Sequence, residues 1–360
     1  MPEQSFKLLL HGIDTLQCAY YMKARNLGGI SFERLLVERE RIRESKKKEA
    51  IVVRLGSSEF LLQGYGTSSG YPFVLTNGDF KIETGENNWP NFFVTFRSEA
   101  LWRESAFLLQ EKFMSWVNSV GYEKAKDERL SRVDFCFDYY LPVVDFDQDS
   151  FVSRSTKDSQ YRENGQVQTF SLGRGDLVLR VYDKVAEIKQ QSDKAWFYLL
   201  WEMDEDVWRI EWQVRKTVLR QFGIVTFGDL GRTQGDLLRY LATEHDTLRI
   251  RNEDSNRSRW PLHPLWVDLF EKILDMDNLG VCRVYGQAAA LEALRMHLAT
   301  VLYGYSKRIA ALHSLKGRQN GMTLDEALQH MNGMLREVHE PLTWRCDVEQ
   351  RIKEMRLGEW

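Results

Sequence analysis

Apolar and polar residues alternate with period two in several stretches of the chain, and each such stretch predicts a half-buried β-strand. "RVDFCFDYY" (132–140), "DLVLRVYD" (176–183) and "VWRIEWQVR" (207–215) show the pattern most clearly. Residues 7–21, "KLLLHGIDTLQCAYY", predict a long strand bent at Gly12. From 51 to 97 short strands alternate with Gly and Asn turns, "TNGD" among them as a hairpin signal. "VQTFSLG" and "DLVLRVYD" predict two paired strands joined at Gly173-Arg174-Gly175. Helical spacing marks 31–50, 98–121 and a stretch from about 183 to 203, and "DFDQDSFVSRS" opens a short helix. Past 217 the pattern turns mostly helical, with Thr323 and Glu326 in capping-box spacing.

This order of elements predicts an α+β protein with one antiparallel sheet backed by helices. The sheet is expected to consist of two βαβ-like halves, about 1–125 and 126–250, and to form a catalytic domain over 1–250. A mainly helical C-terminal region, 251–360, follows. The boundary is expected in the polar, Arg-rich loop "RIRNEDSNRSRWP" (249–261).

Composition narrows the class. Of 360 residues, 43% are hydrophobic and 28% charged, which describes a globular protein with ample core. No stretch approaches the ~20 uncharged apolar residues that cross a membrane, and the N-terminus lacks the apolar core of a signal peptide. Cys18, Cys136, Cys282 and Cys346 have neither metal-like nor disulfide-like spacing. A cytoplasmic protein without membrane contact is expected. The net charge of −3 offers no chain-wide basic surface, so any nucleic-acid binding must come from local patches. Those patches are Lys46–Lys48, Arg215/Lys216/Arg220 and Arg249/Arg251/Arg257/Arg259, with Trp260 either stacking on an unpaired base or buried.

The three clearest strands share a chemical grammar. Arg132, Asp134, Cys136 and Asp138 fall on one face of the first, and Arg209, Glu211, Gln213 and Arg215 on one face of the last. Arg180, Tyr182 and Lys184 fall together on the middle one. If the strands are neighbours, carboxylates, cations and a phenol converge. Hard carboxylate oxygens suit Mg²⁺ or Mn²⁺. Such a metal polarises a phosphoryl oxygen while arginines stabilise developing charge. Flanking cations would lower the phenol's pKa and favour phenolate. A phosphotyrosine would then conserve the energy of a broken phosphodiester. An exposed ion-pair ladder is the competing reading of the same alternation. The seven histidines include no His-x-His pair, which leaves a histidine-chelated metal unsupported.

"LSRVDFCFDYY", "SLGRGDLVLRVYDKVAEI" and "VWRIEWQVRK", with "GIDTL" near the start and "SNRSRWP" in the loop, resemble the Rep-trans replication initiation factors of rolling-circle plasmids. Relatives of that family occur in filamentous phages and as relaxases of integrative conjugative elements. The resemblance covers roughly residues 8–265. It implies a variant of the HUH-endonuclease sheet in which carboxylates replace the histidine pair. It also implies that Tyr182 is the nicking nucleophile, beside which Arg180 and Lys184, on the residues' own reading, would hold a phosphate. The metal acids would be Asp134 or Asp138, Glu211 and, further, Asp14. By their charge and position, not by the resemblance, Arg132, Arg209, Arg215, Lys216, Arg257, Arg259 and Trp260 are expected to contact DNA, either an origin hairpin or a single strand. The family's plasmid members act as dimers, so a second copy is an implied partner, and a host helicase is expected as a further one. The helical C-terminal third matches less well, which leaves origin choice open.

The chain is therefore expected to be a metal-dependent nickase and strand transferase that starts rolling-circle replication through a 5′-phosphotyrosine. A relaxase for conjugative transfer with the same chemistry and a non-catalytic origin-binding regulator are the alternatives. Tyr139 and Tyr140, beside the acidic strand, are candidates for a second nucleophile by proximity alone.

Overall fold

The computed structural model describes residues 6–25, 29–192, 194–276, 287–316 and 322–356. Cys282 lies outside the described residues, as does the side chain of His297. The chain begins with β1 (Lys7–Ala24), α1 (Phe32–Glu44), β2 (Ile51–Leu55), β3 (Ser58–Leu62), β4 (Phe73–Thr76), β5 (Phe80–Thr84) and β6 (Phe92–Phe96). Two helices, α2 (Ser98–Arg103) and α3 (Ala106–Ser119), lead to β7 (Tyr122–Tyr140). Then come β8 (Phe151–Ser153), β9 (Asp158–Glu163), β10 (Gln166–Gly173), β11 (Leu177–Asp183), α4 (Lys184–Gln191), α5 (Phe197–Trp201) and β12 (Val207–Arg215). The remainder is α6 (Lys216–Gln221), α7 (Phe227–Tyr240), β13 (Asp246–Leu248), α8 (Pro264–Leu274), α9 (Gln287–Lys316), α10 (Leu324–Val338) and α11 (Pro341–Arg356).

Eleven strands form one antiparallel sheet in the order β2-β3-β4-β5-β6-β1-β7-β12-β11-β10-β9, and β8 pairs separately with β13. The two longest strands, β1 with 18 residues and β7 with 19, lie side by side at its centre. β6 pairs with the Leu16–Tyr20 part of β1, whereas β12 pairs with the Arg132–Tyr140 part of β7. The central ladder thus carries one half of the sheet on each side.

Alternation decides which residues meet the helices. Leu16, Cys18 and Tyr20 of β1, and Val133, Phe135, Phe137 and Tyr139 of β7, belong to one continuous apolar core. The same core takes in Phe113 and Trp116 of α3, Leu219 of α6, Leu230 and Leu237 of α7, and Trp266 of α8. Asp134, Asp138 and Arg132 are absent from it because they point to the other face of the sheet. Gly12 is needed there for a different reason. A Cβ at Gly12 would sit 3.2 Å from the Trp102 ring of α2, which lies on that face.

Several elements differ from the sequence pattern. The helix expected over 98–121 is broken at Glu104, and Ser105 caps the second piece by accepting from the Leu108 N–H. The helix at 31–50 ends at Glu44, leaving Lys46–Lys48 exposed beyond it. β8, β9 and β13 are too short or too polar to have been predicted. His263 serves as the N-cap of α8.

The described residues group into two compact units, one holding 6–192 and 204–276, the other 194–203 and 287–356. α8, beyond the boundary expected near 250, belongs to the first. In the second, the Thr323–Glu326 capping box closes α10 as its spacing predicted.

The β10–β11 hairpin carries Tyr182, and its turn depends on two glycines of positive φ. A Cβ at Gly173 (φ +91°) would lie 2.4 Å from the Leu177 carbonyl oxygen, whereas one at Gly175 (φ +84°) would meet nothing within 4 Å. Gly175→Ala should therefore cost about 1 kcal/mol of backbone strain. Gly173→Ala should cost about 2–3 kcal/mol, because strain and collision add. Urea denaturation of the two variants measures the difference; equal costs would mean that the turn yields at Leu177.

Candidate functional site

The polar faces of β7, β12 and β11 do converge. The strands are adjacent and antiparallel, with Asp138 opposite Arg209, Cys136 opposite Glu211 and Asp134 opposite Gln213. On the far side of β12, Arg180 is opposite Glu211 and Tyr182 is opposite Arg209. Asp14 joins from β1 by a bulge. The register passes from Ile13–Phe135 to Thr15–Asp134, so Asp14 has no ladder partner and its side chain turns onto the same face.

At the inner end of this face lies a buried ion cluster. Arg209 is fully enclosed, and its guanidinium grips Asp138 with both oxygens, Nε to Oδ1 at 2.6 Å and Nη2 to Oδ2 at 2.8 Å. Its Nη1 lies 3.0 Å from Asp14 Oδ1. That oxygen also accepts from Ser98 Oγ at 2.7 Å and from the Trp102 indole at 2.9 Å. Arg209 was expected at DNA. It instead lies under Trp102 (5.7 Å to the ring) and holds two acids together.

At the outer end, Tyr182 donates its hydroxyl proton to Glu211 Oε2 at 3.0 Å, while Arg180 Nη1 reaches Oε1 of the same carboxylate at 3.3 Å. Burial pushes the Tyr182 phenol well above its usual pKa; the Glu211 charge adds to this and Arg209 opposes it. The expected lowering by flanking cations does not occur, because burial raises the phenol's pKa and the Glu211 carboxylate hydrogen-bonded to it adds to the rise. Lys184 also departs from the strand pattern. β11 ends at Asp183, which caps α4, so Lys184 starts the helix. Its Nζ donates to Glu187 at 2.6 Å and lies 5.6 Å from the Tyr182 ring centroid.

Asp134 is held by Arg132 through Nε at 2.8 Å. Burial nonetheless raises its carboxyl to about 6, against the pull of Arg132, with the charges of Glu211 and Asp14 adding to the rise. Among the described residues no three Asp, Glu, His or Cys side chains are grouped to hold a metal ion. Asp138 and Asp14 are paired with Arg209, while buried Asp134 is paired with Arg132, and Glu211, on the cleft wall, with Arg180 and Tyr182. Cys136 lies between Asp134 and Asp138 in the row, its thiol pushed up by burial and donating to the Gly12 carbonyl at 3.5 Å.

Outside this row the expected DNA contacts divide. Arg215 and Lys216 are exposed where β12 ends, with Arg215 opposite Arg132. Arg220 and Arg251 are exposed too. Arg249 and Arg257 are structural ties, the first donating to the Trp260 carbonyl at 2.6 Å and the second to the Phe151 carbonyl at 2.7 Å. Arg259 is exposed, 3.9 Å from Asp254. Trp260 is buried, and its indole donates to the Asp254 carbonyl at 2.7 Å, so it is not free to stack. Tyr139 faces the core and donates to Asp268 at 2.9 Å, which removes it as a second nucleophile. Tyr161 lies on β9, whose polar sequence gives no alternation to mark it. It lies opposite Thr169, itself opposite Tyr182, and is half exposed. With Gln168, Gln190, Arg180 and Tyr182 it lines a cleft of about 240 Å³.

Arg209→Met should destabilise the fold by about 3–5 kcal/mol, since it leaves Asp138 buried without its partner; chemical denaturation measures this. Asp134 gives a pH signature. Its folded value, about 6, lies above the ordinary 3.8, so its contribution is fully present below pH 4 and is lost as pH rises through 6. The melting temperature of Asp134→Asn relative to wild type should therefore rise between pH 4 and pH 7.5. A flat difference would contradict the shift.

No protein-family model and no curated protein matches the chain. Among solved structures, it is similar to the rolling circle replication initiator protein from Geobacillus stearothermophilus, with 18% identity and a TM-score of 0.41. The match covers 79% of this chain and 100% of that one.

Proposed function

We propose that this protein is a DNA-nicking strand transferase that initiates rolling-circle replication, with Tyr182 as nucleophile and single-stranded or hairpin origin DNA as substrate. The observation that carries the reading is the hydrogen bond from the Tyr182 hydroxyl to Glu211 at 3.0 Å, on the wall of an open cleft with Arg180 beside it. A buried phenol kept neutral needs a base within reach. Glu211 is that base.

In the proposed step the Tyr182 oxygen attacks a backbone phosphorus and passes its proton to Glu211. The bond from phosphorus to the 3′ oxygen breaks, and that oxygen leaves as a hydroxyl after taking a proton from solvent. The 5′ phosphate remains on the tyrosine. One phosphodiester replaces another, so the 3′ hydroxyl can later reverse the step without ATP. Arg180, with a third of its side chain exposed, neutralises the phosphate, and Arg132 adds charge on the other side of the row.

A divalent cation such as Mg²⁺ or Mn²⁺ suits Asp134 and Glu211. Ions of this kind commonly take one or two carboxylates and complete their shell with water and substrate phosphate. When bound, the cation would polarise the phosphoryl oxygen.

Single-stranded DNA covering the origin, mixed with protein and Mn²⁺ and run on a denaturing gel, tests the reading. Wild type should form a covalent protein–DNA adduct. Tyr182→Phe should bind the DNA equally well and form none. Glu211→Gln should slow adduct formation about 10²–10⁴-fold, the usual contribution of a positioned base. An undiminished adduct with Tyr182→Phe would overturn the assignment.

A further inference from the structure

The face of the sheet that holds Tyr182 continues along the central ladder, away from the candidate site. Four pairs of β1 and β7 lie on it in order: Thr15–Asp134, Gln17–Arg132, Ala19–Arg129 and Tyr21–Lys126. Their neighbours Leu16, Cys18, Tyr20, Leu130 and Val133 point into the core on the other side. A row of three cations therefore leads from the carboxylate pair to Tyr21.

At the end of this row stands an aromatic pair. Trp89 packs edge-on against Tyr21 with ring centroids 5.3 Å apart, and 57% of Trp89 is exposed. Lys126 Nζ lies 3.9 Å from the Tyr21 centroid and 5.4 Å from that of Trp89. Arg129 is 6.0 Å from Tyr21. Neither cation makes an ion pair among the described residues. The acids nearby are already neutralised, Glu123 by Lys23 and Arg25, Glu83 by Lys81, and Asp127 by Lys124. The segment that presents Trp89 is pinned. Tyr71 donates to the Pro90 carbonyl at 2.9 Å, and the Asn91 amide accepts from Met22 N at 2.9 Å and donates to its carbonyl at 3.0 Å.

We propose that Tyr21, Trp89 and Lys126 form a base-stacking clamp for single-stranded DNA, joined to the Tyr182 cleft by the Arg132–Arg129–Lys126 row. The proposal rests on the reading of Tyr182 as a nicking site, and adds the path that the strand takes beyond it. A held, exposed indole with a cation over the neighbouring ring offers what an unpaired base needs, a π-face and a charge for its phosphate. A duplex, whose bases are already stacked, gains only the charge. Lys126 and Asp134 are eight residues apart on β7, roughly 27 Å at the usual rise per residue. A strand held at both ends of such a track falls within the ~4–16 nucleotides typical of single-strand grooves.

The test uses fluorescence anisotropy with the full chain, a labelled 12-mer of thymidylate and a 12-base-pair duplex. Trp89→Ala should weaken 12-mer binding about tenfold, the usual effect of removing one stacking platform. It should leave duplex binding and the melting temperature unchanged, and Trp89→Phe should restore most of the loss. Lys126→Ala should weaken both ligands and flatten the salt dependence. Unchanged 12-mer binding by Trp89→Ala, or an equal loss for both ligands, would overturn the clamp. If that result appears while wild type still forms its Tyr182 adduct, the clamp alone falls. If wild type binds no single strand, the clamp and the nicking reading fall together.

Discussion

The polar face of this sheet is organised by one buried contact, the two-pronged grip of Arg209 on Asp138 with Asp14 at its remaining nitrogen. A fully enclosed guanidinium is costly to desolvate, and only near-saturated pairing offsets that cost. The contact therefore fixes more than itself. It locks β12 to β7 in register, brings the bulge of β1 into line, and holds Trp102 over Gly12. Glu211 and Asp134, next in the row, inherit their positions from it. A shift of one residue between β7 and β12 would send Glu211 into the core and break the cluster at once.

In the proposed function, the same arrangement lets a tyrosine poor in acidity act. A phenol is protonated at neutral pH in any case, and burial with the neighbouring carboxylate makes its ionisation harder still. This prevents a standing charge beside Glu211 and makes ionisation wait for an acceptor of the electron pair. In the proposed reaction, proton loss and bond formation to phosphorus go together, and the arginines neutralise the charge that arrives with the DNA. The two long central strands extend this chemistry in space. Because β1 and β7 form one ladder between the two halves of the sheet, one face can carry the proposed reactive end and the proposed holding end.

Much of this was legible in the sequence for a simple reason: period-two alternation states which residues share a face. The row of Asp134, Cys136 and Asp138, the row of Arg209, Glu211 and Gln213, and the Gly173–Gly175 turn all lie as their spacing predicts. Alternation does not state whether a face is covered. Arg209 was expected at DNA and is buried, because α2 lays Trp102 across that end. Nor does it state how deeply a group is buried, so burial, with the Glu211 charge added, rather than Arg180 and Lys184 sets the direction of the Tyr182 shift. Lys184 was placed on the strand face although Asp183 caps a helix there. Trp260, for which stacking and burial were both open, is buried and tied to the backbone of its own loop. Asp14 could be suspected but not aimed, since a bulge leaves no mark in the pattern. The Tyr21, Trp89 and Lys126 cluster was invisible, as its members come from three separate segments that only the sheet order brings together.

The central claim is that Tyr182 carries the DNA after strand cleavage. The most direct measurement is tandem mass spectrometry of the protein after incubation with single-stranded origin DNA and Mn²⁺, followed by nuclease trimming and proteolysis. The account predicts a nucleotide phosphate on the peptide containing Tyr182, attached at that tyrosine. Attachment at Tyr161, at Tyr140 or at a serine, with Tyr182 unmodified, would contradict it.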